Sequence, residues 1–365
     1  MHSSTPSDAQ PNSSTSPYLG TAPLQADDTV HLIAPSGPTD EDSLLRAIAQ
    51  LESWGLHVVV GDNVRARHPR VKYLAGTDEQ RRTDLVEAWC DPNAAAVIAL
   101  RGGFGAMRLL DGIDFDHMRT HALRPDGRPK LLTGSSDITA LHQAWVHHLS
   151  VATLFCPMVG NDPFKNSTVV PAEVASWLFA PWGGRELGFP AGESRAGERA
   201  APLAVGSASP DAGSASPRPL SRARTLVPGT AKGRLGGGNL SLVAAGMGSP
   251  ELAGVRELRE RSGPSILMLE DVDEELYRLD NLLVQLVRGG WFGSADAVVL
   301  GSWQDCAEID EVESLVMDYL GEAGIPIVSE MGFGHDPDAP STPLGVAVTL
   351  EAPAQGRPRM WVDGA

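Results

Sequence analysis

The sequence predicts an α/β fold built on a parallel sheet covered on both faces, organised as two domains. Three observations carry this expectation. Short apolar runs alternate with segments of helical periodicity through the first half of the chain, and continuous apolar runs are what strands buried on both faces require. The chain has 365 residues, beyond the ~250 to 300 at which a single core stops growing. A stretch rich in Ala, Ser, Gly, Pro and Arg, residues 191–230, separates the two halves and reads as a flexible linker or insertion.

The elements follow in order. Residues 1–28 are polar and are expected to form a disordered tail, because they bury too little surface to offset the entropy of ordering. The N-terminal domain, residues 29–190, opens with the apolar run Thr29 to Ala34, closed by Pro35-Ser36-Gly37-Pro38, a buried strand and a turn. A helix is expected from Asp40, where Leu44, Leu45, Ile48 and Leu51 recur at helical spacing, and Trp54-Gly55 ends it before the strand His57 to Val60. An amphipathic segment from Asp78 to Cys90 and the strand Ala95 to Leu100 come next. The strand Lys130 to Thr133 then enters a helix at Asp137. The C-terminal domain, residues 231–365, shows strands at Ser265 to Leu269, Ala297 to Leu300, Pro326 to Val328 and Val346 to Leu350, with a helix from Leu276 to Val287.

Composition excludes several functions. With 46 acidic against 29 basic residues the formal net charge is −17, which repels phosphate backbones and anionic headgroups. Nucleic acid is therefore not an expected partner, and the basic run Arg218 to Arg224 lacks interleaved aromatics for base stacking. Cys90, Cys156 and Cys306 are widely spaced, with no CxxC pair and no His nearby at a zinc-ligand spacing, so neither a disulfide framework nor a zinc knuckle follows. The first residues carry no Lys or Arg and no apolar core of a leader. No apolar run approaches the ~18 residues of a membrane span. A cytoplasmic protein without membrane contact is expected.

Candidate chemistry sits at strand ends. Ser136, in Gly134-Ser135-Ser136-Asp137-Ile138, lies between a predicted strand and a predicted helix, the setting of a nucleophile elbow. The GxSxG match is incomplete because Ile138 replaces the second glycine, so a plain helix cap by Ser135, Ser136 or Asp137 is the competing reading. Arg101-Gly102-Gly103-Phe104-Gly105 forms a glycine-rich turn at the same sheet edge, able to supply an oxyanion donor or simply to turn the chain. It is not a dinucleotide fingerprint, since Arg108 stands where a third glycine is needed. Glu270 emerges from an apolar strand, whereas Asp271 to Glu275 read as charge at a helix start. His335 lies in a Gly- and Pro-rich loop, where a packed core histidine is less expected. Serine, histidine and carboxylate are the residue types of a hydrolytic triad.

Several separate stretches resemble the LD-carboxypeptidase family of serine peptidases, which includes murein tetrapeptide carboxypeptidases and microcin C immunity peptidases. They are Ile33 to Gly37, Tyr73 to Asp78, Arg101 to Gly105, Gly134 to His142, Gly236-Gly237-Gly238-Asn239-Leu240, Leu269-Glu270-Asp271 and Phe333-Gly334-His335, in the family's order. The resemblance implies a Rossmann-like or flavodoxin-like N-terminal domain carrying the nucleophile and a smaller β-rich C-terminal domain carrying the other triad members, with the site at their interface. It implies Ser136 as nucleophile, Glu270 as carboxylate and His335 as base. Oxyanion donors would be the backbone N–H groups of Asp137 and Gly103, and Asn239 would touch substrate. No cofactor and no metal are expected, and a homodimer is.

The implied activity is hydrolysis of an L,D amide bond near a free carboxyl terminus, the substrate a murein tetrapeptide or similar small peptide. Two alternatives stand beside it, a microcin C-type peptidyl or aminoacyl nucleotide hydrolase and a non-catalytic peptide binder. Three departures from the family pattern bear on the choice. Ser135 stands where Phe or Tyr is common, Phe155-Cys156-Pro157-Met158 replaces a His-Gly-Pro, and the linker is long.

Overall fold

Burial of the apolar runs organises the chain into two sheets in a computed structural model, which describes residues 20–166, 169–187, 222–252 and 265–364. The first sheet is built from β1 (Thr29–Ile33), β2 (His57–Val60), β3 (Ala94–Ala99), β4 (Leu131–Gly134) and β5 (Thr153–Phe155). Between them lie α1 (Glu41–Ser53), α2 (Asp78–Cys90), α3 (Phe115–Thr120) and α4 (Thr139–Ala144), and α5 (Asp162–Asn166) and α6 (Val169–Leu178) follow. Helix starts are set locally. The Asp40 carboxylate caps α1 by accepting from Ser43 N–H, and Thr77 with Gln80 forms a reciprocal capping box on α2.

The strand order β2-β1-β3-β4-β5 is parallel throughout, the doubly wound order of flavodoxin-like domains. Its order reverses between β1 and β3, so the turns leaving those strands flank the crevice where such sheets bind ligands. The turn after β1 and the glycine-rich turn after β3 meet there, with Gly37 N–H donating to the Gly102 carbonyl at 3.0 Å.

The second half contributes β6 (Arg224–Val227), β7 (Gly229–Asn239), β8 (Ser265–Val272), β9 (Ala295–Gln304), β10 (Ile327–Ser329), β11 (Thr342–Leu344), β12 (Ala347–Ala352) and β13 (Arg359–Val362). Helices α7 (Leu240–Ala245), α8 (Leu276–Arg288) and α9 (Ile309–Leu320) cover it. The sheet order is β13-β12-β7-β8-β9-β10-β6, with β7 to β10 parallel and the remaining strands antiparallel. Helix α8 buries Leu279, Leu282, Leu283 and Leu286, the i, i+3, i+4, i+7 stripe that its sequence encodes.

Three features differ from the sequence expectation. Ordered packing begins before Thr29, because Leu24 is buried and its N–H donates to the Leu178 carbonyl, while Asp28 is buried in an ion pair with Arg124 at 2.6 Å. Strand β6 and the start of β7 lie inside the stretch read as linker. The halves are also interleaved, since β11 pairs antiparallel with β5 of the first sheet. The rest of the predicted tail, residues 1–19, and the linker residues 191–221 lie outside the described residues. Among the described residues no helix is long and apolar enough to cross a membrane.

Candidate active site

Strand β4 ends in a strained turn that presents one serine. Ser136 has φ 60°, a left-handed conformation that a non-glycine residue adopts only when its surroundings impose it. Within the run from Leu131 to Leu141 it alone is not fully buried. Neither Ser135 nor Ile138 makes a side-chain capping bond at the helical turns they precede, so the plain-cap reading does not describe this turn. The Asp137 side chain instead turns inward, accepting from Ser36 Oγ at 2.5 Å and from Ala106 N–H at 2.8 Å. It thereby ties the elbow to the turns after β1 and β3. His142 anchors the turn from below, between the Gly134 carbonyl (2.9 Å from Nε2) and Thr153 Oγ1 (2.8 Å from Nδ1). Full burial lowers its pKa to about 4, so it is a neutral strut with its proton on Nε2, where only an acceptor faces it.

The glycine-rich turn packs directly on the serine. A Cβ on Gly102 would lie 2.9 Å from Ser136 Cβ and 3.2 Å from Ser136 Oγ, so only glycine lets the two backbones approach. This turn is held by Arg81, which is buried. Its guanidinium donates to the carbonyls of Pro35, Gly76 and Gly105 and pairs with Asp78. Arg81→Met is expected to cost roughly 2 to 4 kcal/mol, because it leaves the carbonyls of Pro35, Gly76 and Gly105 without their donor, while Asp78 keeps its pairing with Arg108. The midpoint and slope of urea unfolding measure it.

The second sheet supplies a carboxylate and an imidazole. Glu270 is fully buried within β8, and the pairing of β8 with β9 shifts register between Leu269 and Asp271. Such a bulge re-aims a side chain. Here it leaves Ser302 of β9 free to accept at Oγ from the backbone N–H groups of His335 (3.0 Å) and Asp336 (3.3 Å). His335 Nδ1 thus lies 2.6 Å from Glu270 Oε2. Gly334 has φ 130°, and a Cβ there would lie 2.4 Å from Ser302 Oγ and 2.9 Å from Glu270 Oε2, so the loop reaches the carboxylate only with glycine before the histidine. Burial alone would lower the His335 pKa, but the Glu270 charge and hydrogen bond outweigh it and hold the imidazole above its ordinary value. The proton belongs on Nδ1 facing the carboxylate, which leaves Nε2 as a base.

The two sheets meet where these groups lie. Asn239 N–H at the end of β7 donates to Thr139 Oγ1 at the start of α4 at 3.1 Å. A cleft of about 500 Å³ opens there, lined among others by Ser135, Met158, Gly334, His335, Arg101 and Lys165. Lys165 is engaged by Asp162 at 2.7 Å and Ser43 Oγ at 2.9 Å. Arg101 donates to the Pro38 carbonyl at 3.1 Å and is otherwise exposed.

Of the predicted residues, His335 lines this cleft together with Ser135, the neighbour of Ser136, while Glu270 pairs with His335 and Ser136 packs on Gly102, the neighbour of Gly103. Asn239, expected to touch substrate, also has a supporting role. It is buried, its carboxamide nitrogen donates to Asp271 Oδ1 at 2.8 Å and its oxygen caps α7 through Leu242 N–H at 3.1 Å. It supports the strand that carries Glu270. Phe155 and Cys156 are core residues, and of that segment Pro157 and Met158 form the cleft wall. Burial pushes the Cys156 thiol up to about 12 and the Cys306 thiol up to about 11, which removes both as thiolate nucleophiles. Sequence reading missed Arg81, the inward turn of Asp137, His142 and Ser302. An arginine placed beside a capping box and flanked by glycine-rich turns was the one available signal.

Family models match both halves of the chain. The description "LD-carboxypeptidase N-terminal domain" matches residues 30–156, and "LD-carboxypeptidase C-terminal domain" matches residues 232–350. A Streptomyces coelicolor protein that carries a provisional carboxypeptidase name is 36% identical over 323 residues, 88% of this chain and 90% of its own. The murein tetrapeptide carboxypeptidase of Pseudomonas aeruginosa is 32% identical over 336 residues, 89% of this chain and 94% of its own. The crystal structure of an MccF-like protein from Bacillus anthracis superposes with TM-score 0.74 at 21% identity, covering 94% of this chain and 99% of that one, a likeness of fold.

Proposed function

The chain belongs to the LD-carboxypeptidase family, and from that membership we propose that it is a serine carboxypeptidase cleaving the L,D amide bond of a murein tetrapeptide. The observation that carries the reading is the buried Glu270–His335 pair at 2.6 Å, opening on the cleft beside the strained Ser136. His335 Nε2 takes the Ser136 hydroxyl proton as Oγ attacks the scissile carbonyl. The N–H groups of Asp137 and Gly103 receive the oxyanion. The imidazolium, stabilised by Glu270, then gives its proton to the leaving amine, and water releases the acyl group. A catalytic hydrogen bond between Ser136 and His335 tightens when substrate fills the cleft.

A carboxypeptidase must recognise a free carboxylate, and Arg101 is the cleft cation with donors to spare. Arg101→Gln is expected to raise KM about 10- to 100-fold with a smaller change in kcat. That range follows from a charged hydrogen bond worth roughly 1.5 to 3 kcal/mol. Steady-state kinetics on tetrapeptide and on its C-terminal amide check it, since the amide should gain nothing from the arginine.

A peptidyl or aminoacyl nucleotide is the second reading, favoured by one observation. Ser135 lines the cleft, so a small polar side chain stands where a bulkier aromatic would narrow it. Parallel assays on murein tetrapeptide and on a processed microcin C analogue decide between them. Cleavage of the tetrapeptide with release of D-alanine is expected, and cleavage of the nucleotide alone would reverse the assignment.

A further inference from the structure

Away from the cleft, three side chains of metal-binding type converge on the first domain, and none of them has a part in the chemistry above. Cys90 ends α2, while His117 and His121 stand one turn apart on α3 and its C-terminal cap. One ligand atom from each lies within 4.8 Å of the other two. We propose that Cys90, His117 and His121 form a binding site for a zinc-class divalent cation, with a water or anion as fourth ligand.

The chemistry of the donor set selects the cation. One thiolate and two imidazoles suit a tetrahedral, borderline-soft ion, with bonds of ~2.3 Å to sulfur and ~2.0 Å to nitrogen. Rotamer adjustment of the exposed His117 and the half-buried His121 closes the remaining distance. The second shell is already set for it. His121 Nδ1 lies 3.1 Å from the His117 carbonyl, which places its proton there and leaves Nε2 as the ligand atom, the usual arrangement of a metal-bound histidine. Lys130 Nζ donates to the carbonyls on either side of Cys90, Trp89 at 2.6 Å and Asp91 at 2.7 Å. Binding releases the Cys90 proton to solvent. Cys90 and the histidines are far apart in sequence and belong to no CxxC or Cys-His cluster, which is why spacing alone did not reveal the set. The bound ion would clamp the end of α2, whose first turn carries Arg81, to α3.

Cobalt(II) titration of the full-length protein tests the site. One equivalent should produce a thiolate-to-cobalt charge-transfer band with visible d–d bands of tetrahedral intensity, all bleached by zinc. Cys90→Ser should lose the charge-transfer band. His117→Ala/His121→Ala, which alters two solvent-accessible rings, should weaken zinc affinity more than ~100-fold by calorimetry. Zinc should raise the thermal midpoint of the native protein but of neither variant. Peptidase rates of both variants should match the native protein, because none of the three residues lines the cleft. Absence of the charge-transfer band at excess cobalt, or its persistence in Cys90→Ser, would overturn the proposal. So would zinc affinity unchanged by the double histidine substitution.

Discussion

Replacing Ser136 by alanine is expected to lower kcat by roughly 10⁴ to 10⁶ with little change in KM or in the unfolding midpoint. In the proposed mechanism this hydroxyl makes the covalent bond, and alanine leaves nothing at that position to attack the carbonyl. The buried thiols offer no substitute, because burial holds Cys156 and Cys306 far above neutral pH. Stability should be preserved. Ser136 occupies a left-handed conformation, whose strain arises from Cβ and is therefore shared by alanine. Loss of activity accompanied by loss of the fold would instead mean that the hydroxyl is structural. Single-turnover kinetics beside urea unfolding separate the two outcomes.

Glu270→Gln is expected to reduce kcat by about 10⁴, the scale seen when a triad carboxylate becomes an amide and the histidine tautomer is lost. It should also move the pH profile in a defined direction. His335 acts as a base only when neutral, so kcat/KM falls as pH drops through its pKa. In the native protein Glu270 holds that pKa above the ordinary value, which is ~6.5, and the acidic limb should lie above it. Without the carboxylate, only the weaker pull of the Asp271 and Asp336 charges opposes burial, so the limb should shift to lower pH even as the plateau collapses. A merely structural role for Glu270 would reduce activity without moving the limb. The measurement is kcat/KM from pH 5 to 9 for both proteins.

Much of this site was legible in the sequence because it sits at strand ends, where short apolar runs stop and polar residues begin. Ser136, Glu270 and His335 each follow such a run or lie in a glycine-bounded loop, and the alternation of strands and helices placed the first at the edge of a parallel sheet. What escaped the reading is what depends on distant pairing. Strand β11 is three residues long and joins the first sheet from the far end of the chain, too short for periodicity to signal. Leu24 finds its partner at Leu178, so a segment that reads as polar tail is packed. Arg81, in a helix that reads as amphipathic, is buried because three carbonyls converge on it, and carbonyl positions are invisible in sequence. Asn239 matched a family stretch, but its bonds to Asp271 and the start of α7 were not legible in it. Resemblance locates a residue without saying which way it points.

The claim that Ser136 carries an acyl group between the two half-reactions is tested most directly by isotope exchange. The native protein is incubated with murein tetrapeptide and a saturating excess of isotopically labelled D-alanine, and the tetrapeptide remaining at early times is analysed by mass spectrometry. An acyl-enzyme partitions between water and the returning amine, so labelled tetrapeptide should appear alongside tripeptide, and Ser136→Ala should produce neither. Accumulation of tripeptide and free D-alanine with no label in the residual tetrapeptide would mean that water attacks the amide directly, and would contradict the account.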